Sequence, residues 1–474
     1  SGMVAVWSQR AIWLGLPCLA SIMLLATTNH VCQDVAVIPF LWVLPLSLYL
    51  LSFILTFDSD RWYSRRVCGW LVLLFIATSS VFSMIGYLPH VLAEIALSFG
   101  SLLLVCMICH GELVARKPCP RYLTQFYLMC SAGGALGGVI VAIVCPWLFS
   151  NYFEMNLMLL AGYVLGVSVL FVEQTTSFAP SRLPRWALGL AGFLGLLVVV
   201  HAQLEALPVG QLASTRNFYG VLSVLEHETS DPTERGRALV HGRIMHGFQY
   251  LQSPLDRQAT KYYADHTGIG LTLRHFPRED SLRVGVVGLG VGTLAAYGKP
   301  GDYYRFYEIN PAVHRLAEKY FTFLRDSQAE CDVVLGDARL MLEREISQEF
   351  DVLVLDAFSG DAIPTHLLTC EAFGVYVRHL RSDGVVAAHI SNRHVDLRVV
   401  FERLAQHYGL STTEMLVQGA GGPGASGAHW IAATTNKQFL GNRAIRNALP
   451  KRERQVAKAP LWTDEYTNLL GILK

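Results

Sequence analysis

The chain has 474 residues, room for two or three domains, and only 16% of them are charged, against roughly 25% in an average soluble domain. Hydrophobic residues make up 52% and the formal net charge is +1, which leaves no basic excess for nucleic acid or another polyanion. Eight of the ten cysteines fall in the first 145 residues, a distribution that excludes a disulfide framework.

Residues 1–205 are mostly apolar, whereas 206–474 read like a soluble enzyme. A membrane-crossing helix needs about 20 apolar residues. Seven stretches meet that length, at 12–29, 36–57, 67–87, 91–109, 123–148, 152–173 and 185–206. Pro39 and Pro45 are expected to kink the second. In the fifth, "GGALGG" sets Gly133 above Gly137 and Gly134 above Gly138, the small-xxx-small spacing of closely packed helices. Polar residues inside such spans are costly, so His30, Asp34, Glu94, His110, Glu112 and Glu154 stand out. They either line a substrate path or pair within the bundle. Cys106, Cys109 and His110 match a haem-attachment spacing, but they end an apolar helix, and packing thiols are the expected reading.

Past residue 206 the pattern changes. Residues 217–225 and 237–251 read as short strands with glycine turns, a small β-region over 207–275. From 276 to 474 strands and helices alternate, which predicts a doubly wound, Rossmann-like α/β domain. Its strands are expected at 283–288, 303–308, 332–335, 350–356, 385–391, 411–417 and 429–435, with "QGAGGPGASGAH" as a flexible link before the last. The fold class is thus a membrane domain of about seven helices over 1–206, followed by the β-region and the α/β domain.

Ligands of an open α/β sheet lie at the carboxyl ends of its strands. The first strand runs into Gly288, Gly290 and Gly292, where backbone N–H groups approach a ligand closely. The second ends at Glu308, 20 residues after Gly288, where a carboxylate accepts ribose hydroxyls. The third ends in Gly336-Asp337-Ala338, suited to an adenine amino group, and the fourth ends at Asp356. A nicotinamide fingerprint needs glycine at 293, where Thr293 stands. The ordered set instead fits S-adenosylmethionine-type folds, and no metal is expected.

The segments "RNFYGVL" (216–222), "LVHGRIMHGFQ" (239–249), "YYADHTGIG" (262–270), "VGLGVGTLA" (287–295), "YEINP" (307–311), "GDAR" (336–339), "LDAFSGDAIPTHLLTCEAF" (355–373), "HISNRHVDL" (389–397) and "LWTDEY" (461–466) resemble the spermidine synthase (aminopropyltransferase) family. The apolar half resembles that of its bacterial membrane-fused branch. The resemblance implies that a nucleophile attacks the carbon beside a sulfonium and methylthioadenosine leaves. The donor is S-adenosylmethionine or its decarboxylated form, used as co-substrate. By the same resemblance Gln249 and Glu308 hold the ribose side, Asp337 and Ala338 the adenine, and Tyr262 or Tyr263 lines the pocket. Asp356 is the general base, with Asp361 beside it.

Two departures bear on the acceptor. The family's soluble members carry Asp inside the glycine loop, where Val291 stands here, and their D-x-x-D-P loop is replaced by Asp356 and Asp361, five apart. A carboxylate lost beside a substrate cation removes a charge-assisted bond of about 1.5–3 kcal/mol. The expected partners are a small-molecule amine or a membrane-delivered nucleophile, the lipid bilayer and a second copy of the chain, with no nucleic acid. Methyl transfer to a lipid or amphiphile, and a non-catalytic adenosyl-binding transporter or sensor, stay open as alternatives. The expected location is the inner membrane. Basic residues from Arg10 to Arg185 share one side of a seven-span bundle, which puts the α/β half outside by the positive-inside rule. Donor supply puts it in the cytoplasm, and supply is the harder constraint.

Overall fold

The computed structural model describes residues 2–35, 41–85, 91–173, 189–190, 192–198, 201, 210–242, 244–278, 280–357, 364–392, 395–417, 426–450 and 460–474. The chain divides into two compact units, residues 1–209 with 216–221 and residues 210–215 with 222–474.

The first unit holds helices α1 (Gly2–Asn29), α2 (Val43–Asp58), α3 (Arg65–Ile85), α4 (Val91–Ala115), α5 (Leu123–Val139) and α6 (Phe153–Glu173). Among the described residues, five helical stretches are long and apolar enough to cross a membrane: Ser8–Cys32, Asp60–Val81, Val91–Ala115, Pro120–Leu148 and Phe153–Phe171. The helix α2 has 16 residues, below spanning length. Pro45 sits in its first turn, where the missing N–H costs nothing, so it opens the helix instead of kinking it. Pro39 and most of the expected seventh segment lie outside the described residues.

Among the described residues, one of the two glycine ridges on α5 meets a neighbour. A Cβ on Gly133 would stand 2.2 Å from the Leu14 carbonyl oxygen, and one on Gly137 would stand 2.6 Å from that of Cys18, both on α1. A Cβ on Gly134 or Gly138 would meet nothing within 4 Å among the described residues. Gly133→Val is therefore expected to destabilise the helical unit by about 1–3 kcal/mol through overpacking. Gly134→Ala should be neutral, and thermal unfolding in detergent compares the two.

The polar residues of the helical unit pair with one another. Glu112 accepts from Arg65 Nε at 2.6 Å and Tyr63 Oη at 2.8 Å, and also pairs with Arg116. Arg216 forks onto both oxygens of Glu154 at 2.7 Å, with both side chains buried. His30 lies 3.6 Å from Glu94, and His110 Nδ1 lies 2.9 Å from Ser52 Oγ. Cys106 and Cys109 are fully buried on α4. Pairing within the bundle is what the described residues display.

A four-stranded sheet follows, with β1 (Gln211–Asn217), β2 (Gly220–His227), β3 (Gly236–His241) and β4 (Ile244–Tyr250) in that order, all of it in the second unit except residues 216–217 and 220–221. The larger sheet contains β5 (Arg283–Val287), β6 (Tyr303–Glu308), β7 (Glu330–Leu335), β8 (Phe350–Leu355), β9 (Leu380–His389), β10 (Ser411–Val417) and β11 (Ala428–Thr434). Its order is β7-β6-β5-β8-β9-β11-β10, a Rossmann-like mixed sheet. The strand β11 runs antiparallel to both neighbours. Alternation alone predicts a parallel sheet here; the reversal follows because the link between Val417 and Ala428 is shorter than the roughly a dozen residues a parallel crossover needs.

Residues alternate between two cores, one on each face of this sheet. On β8, Leu353 and Leu355 enter one core, while Val352 and Val354 enter the other. Both faces are covered, so the central strands read as unbroken apolar runs. The strand order reverses at β5, which pairs with β6 on one side and β8 on the other. A crevice at that switch point is where such sheets take ligands.

Candidate active site

The glycine loop leaves β5 with three backbones in the left-handed region: Gly288 at φ +99°, Gly290 at +56° and Gly292 at +81°. Gly288 also has no room for a side chain, since a Cβ there would lie 2.4 Å from the Asp356 carbonyl oxygen. The loop thus brings the end of β5 against the end of β8.

Glu308 closes β6 and is 7% exposed. Its Oε2 accepts from the Leu289 N–H at 3.0 Å and its Oε1 from the Asn310 N–H at 2.8 Å. Burial holds this carboxyl above the usual carboxylate range, partly offset by the N–H groups of Asn310, Leu289 and Ile309. The carboxylate keeps lone-pair room for a hydroxyl donor.

Asp337 caps the helix Ala338–Arg344: its Oδ1 accepts from the Leu340 N–H at 3.0 Å, and its Oδ2 lies 3.1 Å from His366 Nε2. Ala338 is buried beside it. Gln249, on β4, gives both amide hydrogens away, to the Asp256 carbonyl at 2.8 Å and Thr322 Oγ1 at 2.7 Å, while its oxygen accepts from the Thr322 N–H at 2.9 Å. In this structure it ties β4 to the loop at Thr322.

Asp356 follows β8 with its side chain 3% exposed, and both its oxygens are engaged. The Tyr263 hydroxyl donates to Oδ2, and His389 Nδ1 lies 3.0 Å from Oδ1. Burial, then the Asp356 charge, push the Tyr263 hydroxyl far above the ordinary tyrosine value, so it stays a donor. Asp361 lies outside the described residues.

Val291 is packed inward. It is 1% exposed and joins an apolar cluster with Leu222, Val224, Leu239, Ala312 and Leu316. Gly247 makes the space, since a Cβ there would lie 2.4 Å from a Val291 methyl. A valine at this place seals the glycine loop onto the small sheet.

The sequence reading passed over His389, the last residue of β9. Its ring lies between Tyr262, centroids 4.6 Å apart at 18°, and Trp430, 4.8 Å at 22°. The Tyr262 hydroxyl donates to the His246 carbonyl at 3.2 Å, and Trp430 Nε1 donates to the Tyr262 carbonyl at 3.1 Å. Burial, then the neighbouring His241, lower His246 to about 4, which keeps that ring neutral beside the glycine loop. One signal for His389 was present: it is a polar residue closing an apolar strand at the carboxyl edge, as Asp356 nearly does.

The last residues cross this edge. The Cys370 N–H donates to the Trp462 carbonyl at 2.8 Å, and Trp462 is 1% exposed. Arg339 forks onto Asp464 at 2.7 and 2.6 Å, Thr369 Oγ1 donates to Asp464 at 2.8 Å, and the Asp396 N–H donates to the Ile472 carbonyl at 2.7 Å.

No protein-family model matches the chain. It is 34% identical over 142 residues to a polyamine aminopropyltransferase of Vibrio vulnificus, covering 29% of this chain and 46% of that protein. It is also 33% identical over 122 residues to an N-terminal histidine N-methyltransferase of Emericella nidulans, covering 24% of this chain and 21% of that one. The chain therefore spans less than half the length of these curated relatives. A solved structure of a probable spermidine synthase from Corynebacterium glutamicum aligns at 19% identity and a TM-score of 0.38, over 53% of this chain and 98% of that one. By sequence, about 29% of the chain is similar to a polyamine aminopropyltransferase.

Proposed function

We propose that the chain is a membrane-bound transferase that binds S-adenosylmethionine or its decarboxylated form and releases methylthioadenosine. The observation that carries this reading is the pair of buried carboxylates, Glu308 and Asp356, set on either side of one glycine loop at the sheet's switch point. Glu308 is read as the acceptor for the ribose hydroxyls and Asp337 as the adenine-side carboxylate. The reacting carbon is read as lying by Asp356, where the incoming nucleophile loses its proton. Positioning the two reactants and removing that proton are the tasks such a displacement sets. No buried acid stands in the glycine loop to hold a substrate ammonium, because Val291 is packed into the apolar cluster. The acceptor is therefore read as something other than a simple diamine, and the apolar helices suit one delivered from a bilayer.

Methyl transfer is the second reading, favoured by the methyltransferase similarity and by Val291. The by-products separate the two. Purified full-length protein incubated with each donor, with and without polyamines, is expected to yield methylthioadenosine on a chromatogram. S-adenosylhomocysteine in its place would establish methyl transfer, and neither product from either donor would remove both readings.

A further inference from the structure

We propose that His389 is the proton acceptor of this transfer and that Asp356 is the residue that orients it, an assignment that rests on the reading above. The carboxylate is the obvious base, but both its oxygens already hold protein hydrogens, from Tyr263 and from His389. An ionised carboxylate can only accept, so the 3.0 Å contact makes His389 Nδ1 the donor. That choice of tautomer puts the ring's basic lone pair on Nε2. The arrangement has the logic of a carboxylate that holds an imidazole in one tautomer and stabilises the imidazolium as it forms.

The ring's surroundings support the same assignment. Tyr262 and Trp430 cover its two faces at 4.6 and 4.8 Å, and each is itself held by a hydrogen bond. Two aromatic faces fix the ring plane and favour a cation between them. The other titratable groups facing this centre are poorer acceptors. Burial and the Asp356 charge keep the hydroxyls of Tyr262 and Tyr263 protonated, and His246, at about 4, is too weak a base near neutrality.

The step balances within the pocket. The lone pair of the nucleophile forms a bond to the carbon beside the sulfonium. The carbon–sulfur bond breaks, and its electron pair stays on sulfur, which leaves as a neutral thioether. The proton of the nucleophile passes to His389 Nε2. One positive charge disappears from sulfur and one appears on the imidazole, beside the Asp356 carboxylate.

The test compares the full-length wild type with His389→Gln and with His389→Ala given added imidazole. Three quantities are read: the rate of methylthioadenosine release, the donor Kd, and the pH profile of kcat. A lost general base predicts a fall in kcat of about 10²–10⁴-fold in His389→Gln with donor Kd unchanged. The acid limb of the profile should vanish, and imidazole should restore part of the rate in His389→Ala. His389→Gln with wild-type kcat would overturn the assignment. So would a loss that falls equally on donor Kd while the acid limb persists, since that is the signature of a structural role. Should neither variant fold, the wild type still decides: a kcat with no acid limb between about pH 5 and 8 rules out an imidazole base. Wild-type protein that releases no methylthioadenosine removes the underlying reading, whereas normal release from wild type and His389→Gln alike removes His389 alone.

Discussion

Asp356→Asn is expected to lower turnover by about 10²–10⁴-fold while leaving donor affinity near that of the wild type. The change is almost isosteric, so the packing of the glycine loop against the Asp356 backbone should survive. What changes is the direction of two hydrogen bonds. A carboxylate accepts from both Tyr263 and His389, whereas an amide offers one acceptor and one donor. Tyr263 can accept as well as donate, but an amide N–H aimed at His389 Nδ1 forces the other tautomer and moves the lone pair off Nε2. Single-turnover release of methylthioadenosine, read beside donor binding by calorimetry, separates the two effects. Normal turnover in Asp356→Asn would mean that this carboxylate is not part of the reacting centre.

Glu308→Ala should act on the other parameter. A bond from a hydroxyl to a charged acceptor is worth about 1.5–3 kcal/mol, so donor Kd should rise by about 10–150-fold for each ribose bond lost. The variant should also lose stability, because the N–H groups of Leu289 and Asn310 are left buried and unpaired at about 1–3 kcal/mol each. Glu308→Gln distinguishes these costs. Its amide keeps one acceptor and the shape of the side chain, so the melting temperature should recover more than the affinity does. Equal recovery of both would assign Glu308 to holding the loop and nothing further.

The strand-end carboxylates were legible because their signals are local. Glu308 is followed by Asn310 and Pro311, a cap and a first-turn proline, which fix where β6 stops and the next helix starts. Asp337 is likewise a cap before a short apolar helix. His389 was not legible, because its meaning comes from rings at 262 and 430 that only the folded sheet brings together. The same holds for Val291. In the sequence it is an acid missing from a loop; in the fold it is a core residue whose place exists because Gly247 faces it. Gln249 shows the converse, since the motif suggests a ligand contact while both its amide hydrogens go to Asp256 and Thr322. The reversed β11 carried no local signal beyond the short link before it. The helical half was legible in kind, through apolar length; α2 falls short of spanning length, and most of the seventh stretch lies outside the described residues.

The closing residues 460–473 tie together three pieces of the carboxyl edge that are far apart in sequence. Through Asp464 they hold Arg339, two residues beyond the helix cap Asp337. Through Trp462 they hold the start of the helix Cys370–Arg378, and through Ile472 the turn at Asp396 that follows His389 and precedes the helix Leu397–His407. Mechanically this is a brace. None of the three pieces can swing outward alone without opening the Arg339–Asp464 fork or pulling Ile472 from its buried seat. Any breathing of this edge is then concentrated on segments the brace does not touch.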